Sequence, residues 1–207
     1  NKKIMVEKND IKNFFNNRND NFRIEKIDFS SENEFSFNLD KGFKLRNLKV
    51  NSKIEINDLF LNNNTDLNYI FPDLKNEINL SNHKINLKYD KKSINIEGSG
   101  NFLNENDKIN YSLIRKDENT KFDTSLKILK NSFRIDFLNF EKKTKSELEI
   151  NVKGTKDKKN NYKFEKISLI EDDNKILIKD LLFQDNKTIK KIKKINLDYK
   201  DIENKKN

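Results

Sequence analysis

Residues 85–98 read INLKYDKKSINIEG, and this stretch decides the fold of the chain. Every second residue from Ile85 to Tyr89 is large and apolar, the polar run 90–93 follows, and the alternation resumes at Ile94. An apolar residue at every second position predicts a β-strand with one apolar face. Because so short a connection cannot join parallel neighbours, we expect the two strands to pair antiparallel.

The same pattern of alternating runs and polar turns extends in both directions from this pair. It is regular over 84–207 and less regular over 1–83. Short strands bounded by polar turns are typical of a β-meander. The chain has only 4 glycines, and Asn and Asp serve in the turns because both tolerate left-handed backbone. We therefore predict that 1–207 is one continuous all-β segment of a larger chain, an antiparallel meander forming a long curved open sheet.

The segment 62–74 interrupts the strand pattern. Thr65 is a candidate N-cap, apolar residues follow at helical spacing, and Pro72 prevents the helix from continuing. We expect a short helix near 65–71, or a loop, that lies against the apolar face of the sheet. No other part of the sequence predicts a helix.

Composition excludes several classes of function. The chain has no cysteine, so it holds neither disulfides nor thiolate metal sites. With a single histidine, His83, it offers no histidine pair for catalysis or for a transition metal. Its net charge is +9, but the lysines are scattered among acidic residues rather than concentrated in a stripe with aromatics, which argues against nucleic acid. We predict a non-enzymatic protein without cofactor or metal.

Four local features are assigned structural rather than chemical roles. Gly98-Ser99-Gly100 lies inside a strand pattern and predicts a bend or bulge, not a phosphate loop. The acidic run 172–174 is a turn, because it lacks the glycine and the distal glutamate of a calcium loop. His83 is expected to be solvated or at an edge, and the basic cluster 190–194 to enter a solvated strand.

The apolar face poses the main physical problem of the predicted sheet. Each large side chain left in water costs about 1.5–3 kcal/mol. The sheet can fold into a sandwich, close on itself, or remain an open trough that holds an apolar ligand. The short turns favour neighbour-to-neighbour winding and therefore the trough, with partial closure as the alternative. The predicted lining of the trough consists of Ile94, Ile96, Ile109, Tyr111, Leu113, Phe122, Leu126, Ile128, Ile135, Phe137, Leu148, Ile150, Val152, Ile176 and Ile178.

Several stretches resemble the central part of AsmA-like envelope proteins (the AsmA, YhdP and TamB superfamily) from AT-rich alphaproteobacteria. The stretches that carry the resemblance are KIEINDL at 53–59, FPDLKNEI at 71–78, IEGSGNF at 96–102, NFEK at 139–142, ELEINVKG at 147–154 and ISLIEDDNKI at 167–176. The shared features are mainly strand rhythm and Gly-x-Gly strand signatures.

The resemblance implies a function in lipid handling. Members of this family are anchored in the inner membrane, extend through the periplasm as apolar β-sheet grooves, and are associated with phospholipid transfer toward the outer membrane. It implies that acyl chains bind the lining, that the anchor lies outside this segment, and that no catalytic motif exists. The alternative is a structural or adhesive β-rich surface protein with an internally closed core.

Overall fold

A computed structural model describes residues 4–7, 22–63, 67–74, 77–143, 145–184 and 188–200. Most of these residues belong to one twelve-stranded sheet, and a second sheet has two strands. The strands are β1 Ile4–Glu7, β2 Phe22–Leu39, β3 Leu45–Asn63, β4 Glu77–Asp90, β5 Ser93–Phe102, β6 Asn104–Lys116, β7 Asn119–Ile128, β8 Arg134–Ile135, β9 Phe140–Glu141, β10 Leu148–Lys156, β11 Tyr162–Glu171, β12 Asn174–Gln184, β13 Thr188–Lys191 and β14 Lys194–Asp198.

The large sheet is an open antiparallel meander, as the alternation predicted. Its order is β1-β2-β3-β4-β5-β6-β7-β10-β11-β12-β13, and β14 pairs with β12 beside β13. All of these pairs are antiparallel. Among the described strands the sheet does not close on itself: β1 with β2 lies at one end of the strand order, and β13 with β14 lies at the other.

The register is straight across most of the sheet, so directly opposite residues form rows. One such row runs through Ile85, Gly98 and Tyr111 and continues to Thr124 and Val152. Opposite residues of an antiparallel pair project from the same face. The residues of this row, and those two positions away along each strand, project from one face, which we call the apolar face. The residues between them project from the other face, which we call the polar face.

Between β7 and β10 the chain leaves the large sheet. The sequence predicted another meander strand there, with Ile135 and Phe137 on the apolar lining. Instead, β7 pairs directly with β10, and the intervening residues form the β8–β9 hairpin around a 3-10 helix, Asp136–Leu138. The prediction for Ile135 and Phe137 is wrong: neither lies in the large sheet, and the side chain of Phe137 is 87% exposed.

The predicted helix near 65–71 is not present in the residues that the structure describes. Residues 67–74 form turns, with hydrogen bonds from the N–H groups of Ile70 and Phe71 to the carbonyl of Leu67. The candidate cap Thr65 lies outside the described residues. The expected position against the apolar face is confirmed, because Phe71 is buried in the core.

Candidate functional site

The apolar face is divided into a covered end and an open part. Two segments, 67–74 and the described residues of 129–147, lie over the covered end, and we call them the plug. They contact each other through the Arg134 N–H and the Ile70 carbonyl, 2.9 Å apart, and through the rings of Phe71 and Phe133, 5.5 Å apart. Together with the ends of four strands they form the hydrophobic core, whose buried members are Phe71, Ile128, Phe133, Phe140, Leu148, Leu169, Ile176 and Tyr199.

Six of the predicted lining residues belong to this covered end: Ile135 packs against the core from the plug, and the other five lie in the large sheet. Ile128, Leu148 and Ile176 are fully buried, and Leu126 and Ile150 are partly buried against them. They share the apolar face as predicted, but the plug covers Ile128, Leu148 and Ile176. These three residues are ordinary core and do not line an open surface.

Two buried carboxylates fasten the plug to the sheet. Asp107 accepts hydrogen bonds from the backbone N–H groups of Leu129, Lys130 and Asn131 at 2.7, 2.8 and 3.2 Å. Glu171, at the end of β11, accepts from the N–H of Lys143 at 2.6 Å. Both carboxylates are completely buried. Each satisfies backbone donors that the sheet ladder no longer pairs once the chain has left it.

The open part of the apolar face lies away from the plug. A row that we call the central row crosses β3–β7 and β10–β12 through Ser52, Leu87, Ile96, Leu113, Phe122, Gly154, Phe164 and Leu181. Its members Leu87, Ile96, Leu113, Phe122 and Phe164 remain only half-buried and are outside the core cluster. The predicted lining residues Ile94, Ile109, Tyr111, Val152 and Ile178 are also half-buried on this face.

Aromatic rings lie over the glycines of this face. A Cβ atom added at Gly98 would come within 2.4 Å of the Tyr111 ring, and one added at Gly154 within 2.8 Å of the Phe122 ring. Because glycine lacks a side chain, the neighbouring ring lies flat across the strand and fills the space. The predicted bend at 98–100 is thus a site of close cross-strand packing.

The expectation for His83 is wrong. It lies in β4, is 2% exposed, and its Nε2 is 2.8 Å from the carbonyl oxygen of Asn101. Its ring covers Gly100, where an added Cβ would lie 2.2 Å from Cδ2. The polar neighbours of His83 in sequence suggested an exposed position. The ring is buried because it occupies the space that a side chain at position 100 would otherwise fill. The alternation of Gly98 and Gly100 was the only sequence signal for this packing.

Burial also affects Tyr111, the neighbour of His83. The two rings are 6.3 Å apart. Burial raises the pKa of the Tyr111 phenol above its ordinary value of 10.0, because the phenolate would lose solvation. Tyr111 is therefore neutral at physiological pH and contributes an apolar ring surface to the open part.

An aromatic cluster lies at the end of the open part farthest from the plug. The ring of Phe122 is 5.7 Å from that of Phe164 and 6.5 Å from that of Tyr162, and Phe183 lies 5.9 Å from Phe164. Edge-to-face and tilted contacts of this kind contribute about 0.5–1.5 kcal/mol each beyond area burial. The cluster gives this end a broad apolar surface.

The polar face carries shallow depressions between rows of charged and amide side chains. One has a volume of about 520 Å³ and is lined by Lys84, Asn86, Glu97, Asn110 and Asp123. Its charged residues have both signs, and Asp123 forms an ion pair at 3.6 Å with Lys153 of the next strand. Such exposed pairs contribute little to stability and keep this face hydrated.

Among the described residues, no group of His, Asp and Glu side chains is arranged to hold a metal ion. No helix in the same residues is long and apolar enough to cross a membrane. Comparison of the chain with protein-family models, with curated proteins and with solved structures found no match.

Proposed function

We propose that this chain is a non-enzymatic lipid-binding segment, in which the open part of the apolar face binds the acyl chains of a phospholipid. The observation that carries the proposal is the central row: five large apolar residues lie side by side, half-buried and outside the core. The plug covers the other end of the same face. The chain therefore buries one end of this face with its own residues and leaves the rest open. An apolar ligand would bury what the plug does not.

The dimensions of the central row suit an acyl chain. It crosses eight strands, and at ~4.8 Å between strands its length is about 34 Å. One leaflet of a bilayer has an apolar thickness of roughly 15 Å, half of the hydrocarbon core. The row is therefore long enough for at least one extended acyl chain. Contacts with Leu, Ile and Phe are non-directional, so a chain would move along the row without breaking specific bonds.

The proposal extends to the cellular role that the resemblance implies. The segment would belong to an inner-membrane-anchored protein on the periplasmic side and would take part in phospholipid transfer to the outer membrane. Its support is the agreement between the expected groove and the open apolar face. Phospholipid acyl chains are the proposed ligand, and neither nucleic acid nor a cofactor is part of the proposal.

The test compares two substitutions that are adjacent in β6 but project from opposite faces. Leu113→Asp places a carboxylate in the central row, where burying it against an acyl chain costs several kcal/mol. Ile114→Asp places the same charge on the polar face, where Ile114 is 43% exposed. Phospholipid that copurifies with the protein, measured by native mass spectrometry, should fall at least tenfold for Leu113→Asp and remain unchanged for Ile114→Asp.

Circular dichroism and the melting temperature show whether each variant is folded. Because Leu113 lies outside the core, Leu113→Asp should retain the strand spectrum of the unmutated protein. Leu148→Asp, in the core under the plug, should unfold. Absence of phospholipid from the unmutated protein, or equal loss in both β6 variants, would contradict the proposal.

The covered end favours a second candidate, a structural or adhesive β-rich protein. There the chain's own residues bury the apolar face, and Phe140 and Leu148 are as buried as in any globular core. If this candidate is correct, the unmutated protein carries no lipid, and Leu113→Asp lowers the melting temperature without changing any bound ligand.

A further inference from the structure

Four lysines from four neighbouring strands lie side by side on the polar face, and we call them the lysine row. Lys153 of β10 is opposite Lys166 of β11. Lys166 is opposite Lys179 of β12, which is in turn opposite Lys194 of β14. All four are exposed, and at ~4.8 Å between strands the row is about 14 Å long. These lysines are far apart in the sequence, and only the register of the strands brings them together.

Most of the lysine row lacks an acidic partner. Lys153, at one end of the row, forms an ion pair with Asp123 at 3.6 Å. Among the described residues, the other three lysines of the row form no ion pair. Like charges directly opposite each other in a sheet are destabilising. The arrangement therefore opposes folding slightly, and a negatively charged partner would offset the repulsion.

Two further lysines widen the region of positive charge. The carboxylate of Asp180 is 3.9 Å from the Nζ of Lys163 and 3.6 Å from the Nζ of Lys193, so two lysines share one acidic residue. We call the lysine row together with Lys163 and Lys193 the lysine patch, and the acidic residues beside it are Asp123, Glu165 and Asp180. Six lysines against three acidic residues leave the patch with an excess of positive charge.

The arrangement of the patch favours an extended anionic surface over a nucleic acid or a small anion. Proteins that bind single-stranded nucleic acid stack its bases on aromatic side chains. The aromatic residues of β10, β11, β12 and β14 are Tyr162, Phe164 and Phe183, and all three lie on the apolar face. The ammonium groups are spread along the row and do not converge on one point, as donors around a single phosphate ion would. Anionic lipid head groups form such an extended surface, and they attract clusters of basic residues.

We propose that the lysine patch binds the surface of an anionic phospholipid bilayer, with the polar face of β10, β11, β12 and β14 turned toward the head groups. The attraction adds up over the lysines close to the membrane and falls off within a Debye length of ~8 Å. Lysines elsewhere on the sheet therefore contribute little. The contact uses the face opposite to the central row, so it does not rest on the proposed binding of acyl chains.

Binding to vesicles provides the test. Lipid-free protein is mixed with vesicles of equal parts phosphatidylglycerol and phosphatidylcholine, and the bound fraction is measured by sedimentation of the vesicles. Lys166→Gln with Lys179→Gln should weaken binding about thirtyfold, since each lysine close to an anionic surface contributes about fivefold. The control, Lys84→Gln with Lys88→Gln, removes the same charge from exposed positions on the polar face of β4. It should weaken binding less than about threefold.

Two further measurements separate the lysine patch from folding and from acyl-chain binding. The melting temperature of the Lys166→Gln, Lys179→Gln chain should not fall, because the change relieves repulsion between opposite like charges. Phospholipid that copurifies with this chain should stay at the level of the unmutated protein. Leu113→Asp should have the reverse effect, with copurifying phospholipid lost and binding to anionic vesicles retained.

Three results would overturn the proposal. Equal loss of binding in the two doubly substituted chains would mean that net charge, and not the lysine patch, attracts the vesicles. Equal binding of the unmutated chain to vesicles with and without phosphatidylglycerol would exclude an anionic surface as the partner. Tighter binding to a single-stranded oligonucleotide of mixed sequence than to the anionic vesicles, lost with the same two lysines, would assign the patch to nucleic acid.

Discussion

Replacing Asp107 by Asn tests whether the plug depends on one buried carboxylate. Asp107 accepts from three backbone N–H groups, and in addition from the side-chain amides of Asn131 and Asn104, the latter at 3.1 Å. Asparagine has the same shape but only one acceptor oxygen. Its NH₂ group would replace the other oxygen and would face N–H donors with which it cannot form hydrogen bonds. Whichever way the amide is oriented, at least two of the five donors lose their acceptor.

The expected loss of stability is large. Each buried donor left without an acceptor costs about 1–3 kcal/mol, so we expect Asp107→Asn to lower the free energy of unfolding by roughly 2–6 kcal/mol. That is a substantial part of the ~5–15 kcal/mol that a typical domain has. Urea denaturation followed by circular dichroism measures the global effect, and limited proteolysis within 129–143 reports detachment of the plug.

The matched control is Asp117→Asn, which makes the same chemical change in an exposed turn between β6 and β7. It should change stability by less than ~0.5 kcal/mol, as surface substitutions usually do. Equal stability of Asp107→Asn and the control, with unchanged proteolysis, would refute the view that this carboxylate holds the plug in place.

Two further predictions concern the rings that cover glycines. Gly100→Ala should destabilise the protein by about 1–3 kcal/mol, because the new Cβ would lie 2.7 Å from the Cα of His83. Gly42→Ala is the control and should be tolerated, because its new Cβ would lie 3.4 Å from the nearest atom. Equal melting temperatures of the two variants would contradict this prediction. Since burial raises the pKa of Tyr111, its contribution to stability should be complete below pH 10.0 and should be lost as the pH rises through the folded-state pKa. Urea titrations across this range should show a smaller pH dependence for Tyr111→Phe, and an identical dependence would be the contrary result.

Much of the sheet was predictable because its signal is local. The alternation in Ile109, Tyr111 and Leu113 depends only on the two-residue period of an extended strand, and the register places all three on the apolar face with Phe122 and Val152. Most connections between consecutive strands are too short for a parallel crossover, and this was enough to predict that neighbouring strands are antiparallel.

The same local signal was misleading where another part of the chain decides the outcome. Ile135 and Phe137 alternate as strand residues do, yet the chain leaves the sheet before them. The backbone N–H groups of Leu129 and Lys130, directly after β7, donate to Asp107 in the neighbouring strand β6. His83 has polar neighbours, but the missing side chain of Gly100 creates the space in which its ring is buried.

Outside 129–147, the sequence by itself determined most of the strands, their antiparallel order and the apolar face, because all three follow from residue spacing and turn length. Only the tertiary structure decided how much of that face is covered. The plug depends on contacts such as the hydrogen bond from Ser132 to Asp73, which are 59 residues apart in the chain. No periodicity encodes such a contact, because it depends on where the folded sheet brings distant segments together. The division between the core around Leu148 and the open row around Leu113 is therefore a property of the fold.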